Sequence, residues 1–191
     1  MSDQASSLRL QRAKADYPPS FAFIGGEGSG VSTLVGELAA SLALAGGRPL
    51  LIEHQPGHQQ ARRLGLPATG TFASLAISLG GINELMVANR YGLNLVNLAA
   101  SSDDRTRLSP RLWRRLANEF ASVEADSSVL LIDCPAIAED PAPACIADNL
   151  VLVLSPDADS LTQGYASLKR LAAEYARRRF NILVNRAQDF G

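Results

Sequence analysis

The chain has 191 residues, 47% of them apolar, with 18 basic residues against 19 acidic and a formal charge of −1. That length makes one domain with a sizeable core, and the near-neutral balance disfavours nucleic acid as a partner. The polar N-terminus lacks the apolar stretch of a secretory leader, and no run approaches the roughly 18 apolar residues that span a bilayer. Cys134 and Cys145 lack zinc-site spacing; Cys134, at the end of an apolar run, reads as a small packed residue. A cytoplasmic chain is expected. Arginine outnumbers lysine sixteen to two, Lys14 and Lys169 being the lysines, a bias that codon usage explains.

In chain order, residues 1–16 are polar and helix-forming, and they end at Tyr17-Pro18-Pro19, which cannot continue a helix. So short a polar helix is marginal alone. Residues 1–20 are therefore expected to form a flexible arm that orders on a partner, and 21–191 the globular domain. Phe21–Gly25 predicts a strand, followed by a glycine loop and a helix over Thr33–Ala45 that Gly46-Gly47 stops. Pro49–Glu53 predicts a second strand. A helical stretch is expected around Phe72–Ala76 and Ile82–Met86, followed by the apolar run Gly92–Leu98. Ser109–Ala121 reads as a helix with Pro110 at its first position. Val129–Asp133, Leu150–Leu154 and Phe180–Asn185 predict strands, the last two separated by a helix over Ser160–Arg178. The basic run Tyr175–Arg179 reads as a solvated helix end. Continuous apolar strands alternating with helices predict an α/β fold, a mostly parallel sheet flanked by helices.

The first strand runs into Gly25-Gly26-Glu27-Gly28-Ser29-Gly30-Val31-Ser32-Thr33, the layout of a Walker A phosphate loop, G-x-x-x-x-G-K-[ST]. Glycines let backbone N–H groups curl around a phosphate, and the following helix adds its dipole. Gly25 and Gly30 have the required spacing and Ser32 supplies the hydroxyl, but Val31 stands at the lysine position. On the glycines alone, a structural strand-to-helix turn explains the loop as well as a nucleotide does.

With these residues the chain resembles the MinD/ParA class of deviant-Walker ATPases, whose loops read K-G-G-x-G-K-[ST]-T. Gly26 and Val31 then replace both lysines, the first of which crosses a dimer in that class. Glu53-His54-Gln55 replaces a D-x-D, leaving Gln55 where an aspartate positions the attacking water. Gly57–Leu66 is similar to the helix that follows. Leu131–Ala136 matches L-I-D-x-P-A, whose aspartate, here Asp133, lies in the magnesium shell with Ser32. Ser155–Thr162 resembles the T-x-P-E-x-x-S-L-T turn, and Val184-Asn185 a V-N whose asparagine contacts adenine. Asp3-Gln4-Ala5-Ser6-Ser7-Leu8-Arg9 reproduces D-Q-A-x-x-L-R, the N-terminal motif of the FlhG (FleN/YlxH) flagellar regulators. In that family the segment binds the signal-recognition-particle-type GTPase FlhF and stimulates its GTP hydrolysis. The resemblance thus implies a MinD-like P-loop fold whose arm residues Asp3, Gln4, Ala5, Leu8 and Arg9 act on an FlhF-type GTPase.

It also implies a vestigial nucleotide site at Gly25, Gly28, Ser29, Gly30, Val31, Ser32, Thr33 and Asn185, with Ser32 and Asp133 as the vestigial magnesium residues. Removing one transition-state donor costs roughly 3–4 kcal/mol. Here two lysines and the aspartate are replaced together, and arginine's planar fork does not reproduce a lysine point charge. A pseudo-ATPase is expected, with no required cofactor and at most residual ATP and magnesium binding. Flagellar switch (C-ring) proteins or a flagellar transcription activator are further implied partners, with recruitment to the cell pole or inner membrane face. With Gly26 at the position of the dimer-crossing lysine, a monomer is expected; the chain stops at Gly191, short of the amphipathic segment that usually ends such proteins, so no stable membrane anchor is expected. Two alternatives stand beside this reading: a weak ATP binder or slow MinD-like ATPase that recruits Arg48, Arg62 or Arg63, and a MinD-like interaction module of another secretion or surface system.

Overall fold

A computed structural model describes residues 17–54, 57–70, 81–98, 109–134 and 147–187. The arm residues Asp3, Gln4, Ala5, Leu8 and Arg9, the Phe72–Ala76 stretch, Gln55, Pro135-Ala136 and Cys145 lie outside them.

The described elements are β1 (Ser20–Gly25), α1 (Val31–Leu44), β2 (Pro49–Glu53), α2 (Gln59–Arg63), a 3-10 turn (Ile82–Glu84), β3 (Met86–Ala88), β4 (Asn94–Asn97), α3 (Pro110–Ala125), β5 (Val129–Asp133), β6 (Asn149–Leu154), α4 (Ala158–Tyr175) and β7 (Asn181–Val184). They build a seven-stranded sheet in the order β3-β4-β2-β5-β1-β6-β7. Every pairing is parallel except β3 with β4. The strands are apolar on both faces because the sheet is covered on both. Ala22, Ile24, Leu50, Ile52, Leu130, Ile132, Leu150 and Leu152 join one core with Leu112, Leu116 and Leu171 from α3 and α4. Their alternates Phe23, Leu51, Leu131, Val151 and Val153 pack with Val31, Val35, Ala39 and Ala43 of α1 and Ala61 of α2.

Three local features differ from the sequence reading. Ile82–Met86 is not a helix: one 3-10 turn leads into β3, whose Met86 pairs with Val96. The strand opening the domain starts at Ser20, one residue earlier than expected. Ser20 is buried, and its N–H and hydroxyl donate to Asp148 Oδ2 at 3.0 and 2.7 Å. The basic run lies past the helix end, and although Arg178 and Arg179 are solvated, Arg177 is not. Helix α4 stops at Tyr175 and Ala176 caps it in the left-handed region (φ 52°). Arg177 turns inward, 5% exposed, and donates to the carbonyls of Ala147 and Asp148 at 2.8 Å each. Those carbonyls sit at the entry to β6, so the guanidinium satisfies backbone acceptors that the sheet leaves unpaired.

Candidate functional site

The parallel strands bring the carboxyl ends of β1, β2 and β5 to one edge of the sheet. Glu53 and Asp133 lie side by side there, in register as partners, with Phe23 of β1 opposite Asp133. Such an edge is where open α/β sheets hold ligands. A cavity of about 700 Å³ opens on it, lined by the whole of Gly25–Thr33 and by Gln59, Arg63, Cys134 and Arg186.

Glycine geometry shapes the loop wall. Gly28 and Gly30 take positive φ, 76° and 83°, where a side chain is strained. At Gly25 a Cβ would stand 2.7 Å from the Val153 carbonyl and 2.4 Å from Ser29 Oγ, so the tight approach itself requires glycine. Ser29 is fully buried; its hydroxyl donates to the Gly26 carbonyl at 2.7 Å and its N–H to the same oxygen at 3.2 Å. Gly30 precedes α1 without a side-chain cap, and Val31 opens that helix at 8% exposure within the α1 core. Thr33 and Gly28 are exposed. Asn185 reaches the loop from the end of β7: its Nδ2 donates to the Ser29 carbonyl at 2.9 Å. Gly26 faces Gln163 of α4, whose Oε1 would lie 2.3 Å from a Cβ there.

The opposite wall carries carboxylates and amides. Ser32 Oγ donates to Asp133 Oδ1 at 3.2 Å, and Gln60 Nε2 donates to Asp133 Oδ2 at 2.6 Å and to the Ser32 carbonyl at 2.7 Å. Glu53 Oε1 accepts the Gln60 backbone N–H at 3.0 Å, and Oε2 accepts Asn97 Nδ2, also at 3.0 Å. Glu53, Asp133 and Gln60 are all 1% exposed or less. Burial pushes the Asp133 carboxyl above its ordinary value; hydrogen bonds from Gln60 and Ser32 pull it back, Glu53 raises it further and Arg63 lowers it.

Comparison with known proteins places this geometry. No family model matches the chain. It is 26% identical over 170 residues to the antiactivator FleN of Pseudomonas aeruginosa, covering 87% of this chain and 61% of FleN. The chain therefore spans about three-fifths of that relative's length. MinD from the Aquifex aeolicus MinC:MinD cell division complex superposes with a TM-score of 0.69 at 19% identity, over 89% of this chain and 69% of its own. A ParA family ATPase from Chlorobium tepidum gives 0.66 at 20% identity, over 88% and 74%. The fold is that of the MinD/ParA P-loop NTPases.

Within this MinD/ParA fold, the residues singled out from the sequence fall into two groups. Gly25, Gly28, Ser29, Gly30, Val31, Ser32 and Thr33 all line the cavity, and Asn185 braces the loop from behind. Ser32 and Asp133 meet directly. Of the arginines considered as replacements for lysine, Arg63 lines the cavity while Arg48 and Arg62 do not. Cys134 is packed as expected, 3% exposed, and its thiol donates to the Ile132 carbonyl. Sequence reasoning missed Arg186, Gln163 and above all Gln60. The one available signal for Gln60 was its position in the polar stretch Gly57–Leu66; its partners lie 28 and 73 residues away.

Proposed function

We propose that the chain is a non-catalytic regulator of flagellar assembly of the FlhG type, acting on an FlhF-type GTPase through Asp3, Gln4, Ala5, Leu8 and Arg9. The observation carrying this reading is the FleN similarity, which extends over 87% of the chain; the uncharged Gly26 and Val31 of the glycine loop support its non-catalytic part. FleN's description as an antiactivator supports a role exerted on protein partners. These include flagellar switch proteins or a transcription activator, met in the cytoplasm or at the inner membrane face. Among the described residues no helix is long and apolar enough to cross a membrane.

In this reading the P-loop domain is a scaffold and ATP turnover is absent. Val31 offers no charge to a γ-phosphate, and Glu27 adds a negative one beside it. Gln4 has the chemistry to orient an attacking water in the partner's GTP hydrolysis. The test is the GTPase rate of the partner with the full chain and with its Gln4→Ala variant. Stimulation lost in the variant, with an unchanged melting curve, is the expected result; equal stimulation by both would overturn the arm's role. A second reading, weak nucleotide binding, is favoured by Arg63 and Arg186, which bring two guanidinium groups to the cavity. Calorimetry with ATP, alongside phosphate release, separates binding from turnover.

A further inference from the structure

The MinD/ParA fold implies a magnesium ion between the loop helix and β5, held through Ser32 and Asp133. Magnesium requires near-ideal octahedral oxygen coordination at about 2.0–2.1 Å, and the residues here do not offer it. Asp133 receives a hydroxyl hydrogen on Oδ1 and an amide hydrogen on Oδ2. Glu53 receives an amide hydrogen on each of its oxygens. All four buried carboxylate oxygens are thus already served, two of them by Gln60 alone. Among the described residues no group of three or more His, Cys, Asp or Glu side chains could hold an ion.

The orientation of the Gln60 amide follows from its neighbours. Its nitrogen lies within 2.7 Å of two acceptors, the Ser32 carbonyl and Asp133 Oδ2. Turning the amide over would bring its oxygen against both, with no hydrogen between them. The donor face therefore points at the carboxylate, presenting positive hydrogens where a cation would stand. Among the described residues the opposite atom, Gln60 Oε1, is buried without a hydrogen-bond partner. Leaving an acceptor so is unfavourable, and the paired carboxylate offsets it. Space for that oxygen comes from Gly36, in the middle of α1: a Cβ there would stand 2.5 Å from Gln60 Oε1. Glycine inside a helix is less favourable than alanine, and the room it leaves is filled by this amide.

We propose that the carboxamide of Gln60 takes the place of a divalent cation between the loop helix and β5, making the site metal-independent. The inference deepens the non-catalytic reading and rests on it. The test uses the full chain and Mn2+ alone as the probe, followed by electron paramagnetic resonance, with thermal melts in MgCl2 and in EDTA. The wild type is expected to hold no Mn2+ at millimolar concentration and to melt at the same temperature in both buffers. Gln60→Glu exchanges the donor for a third carboxylate, and this variant is expected to bind Mn2+ and to melt higher in MgCl2 than in EDTA. Mn2+ bound by the wild type, or a folded Gln60→Glu chain that binds none, would overturn the proposal. The wild-type measurement decides the matter even where the variant does not fold. Mn2+ binding without ATP turnover would sink this inference alone, whereas ATP turnover persisting in EDTA would sink the non-catalytic reading alone.

Discussion

The two walls of the cavity keep their shape by different means. The loop wall is held by backbone: positive-φ glycines, the double bond from Ser29 to the Gly26 carbonyl, and the brace from Asn185. No long side chain of the loop is needed to close it, so a phosphate-loop shape persists with valine at the head of α1. The carboxylate wall is held mostly by side chains: Gln60 bonds both Glu53 and Asp133, and Ser32 and Asn97 each serve one of the remaining oxygens. The loop wall keeps its form with the uncharged residues Gly26 and Val31; the opposite wall is filled by an amide.

Substitutions on the two walls should therefore differ in size and in cause. Asp133→Ala removes a buried carboxylate that accepts from both Gln60 and Ser32, and unfolding in urea should show a loss of about 3 kcal/mol. A loss below that of any loop glycine would break the comparison. On the loop wall, Gly30→Ala combines a strained φ with a Cβ 2.6 Å from Asn185 Nδ2 and should cost about 2 kcal/mol. Gly28→Ala meets no atom within 4 Å and should cost about 1 kcal/mol from backbone strain alone. Equal losses for the two glycines would show that the Asn185 brace carries no weight.

The smallest expected effect is a change of slope. Asp133→Asn can still accept from Gln60 and donate to the Ser32 hydroxyl, so stability at neutral pH should move by less than about 1 kcal/mol. The carboxyl of Asp133 titrates above its ordinary value because it is buried. The folded state therefore binds this proton more tightly than the unfolded one, and the group's contribution falls as pH rises from the unfolded value through the folded one. Melting temperature compared across pH for wild type and Asp133→Asn should reveal that falling component in the wild type only. Parallel profiles would mean that Gln60 and Ser32 fully compensate the burial.

How much of this was legible in the sequence follows the same division. The loop could be read because left-handed backbone and close approach leave glycines in the chain at fixed spacing, Gly25, Gly28 and Gly30. The long central strands could be read because burial on both faces demands unbroken apolar runs, as in Leu150–Leu154. Strand β3 could not: three residues at an edge, Met86–Ala88, carry no period. The end of α4 was hidden because Ala176 takes the left-handed cap without a glycine. Arg177 then looked like its exposed neighbours, although the carbonyls it serves lie 29 and 30 residues earlier. Gln60 was hidden for the same reason, a polar residue whose partners only the folded sheet assembles.

The clasp between Ser20 and Asp148 has a mechanical consequence. It fastens the entry of β1, an interior strand, at the end of the sheet opposite the phosphate loop, a strand of six residues away, or about 20 Å. A partner pulling on the chain ahead of Tyr17 would load β1 lengthwise, against β5 on one side and β6 on the other. Both ladders would have to shear together, whereas an edge strand would peel one bond at a time. The chain at Tyr17 thus leads into a strand well placed to bear tension.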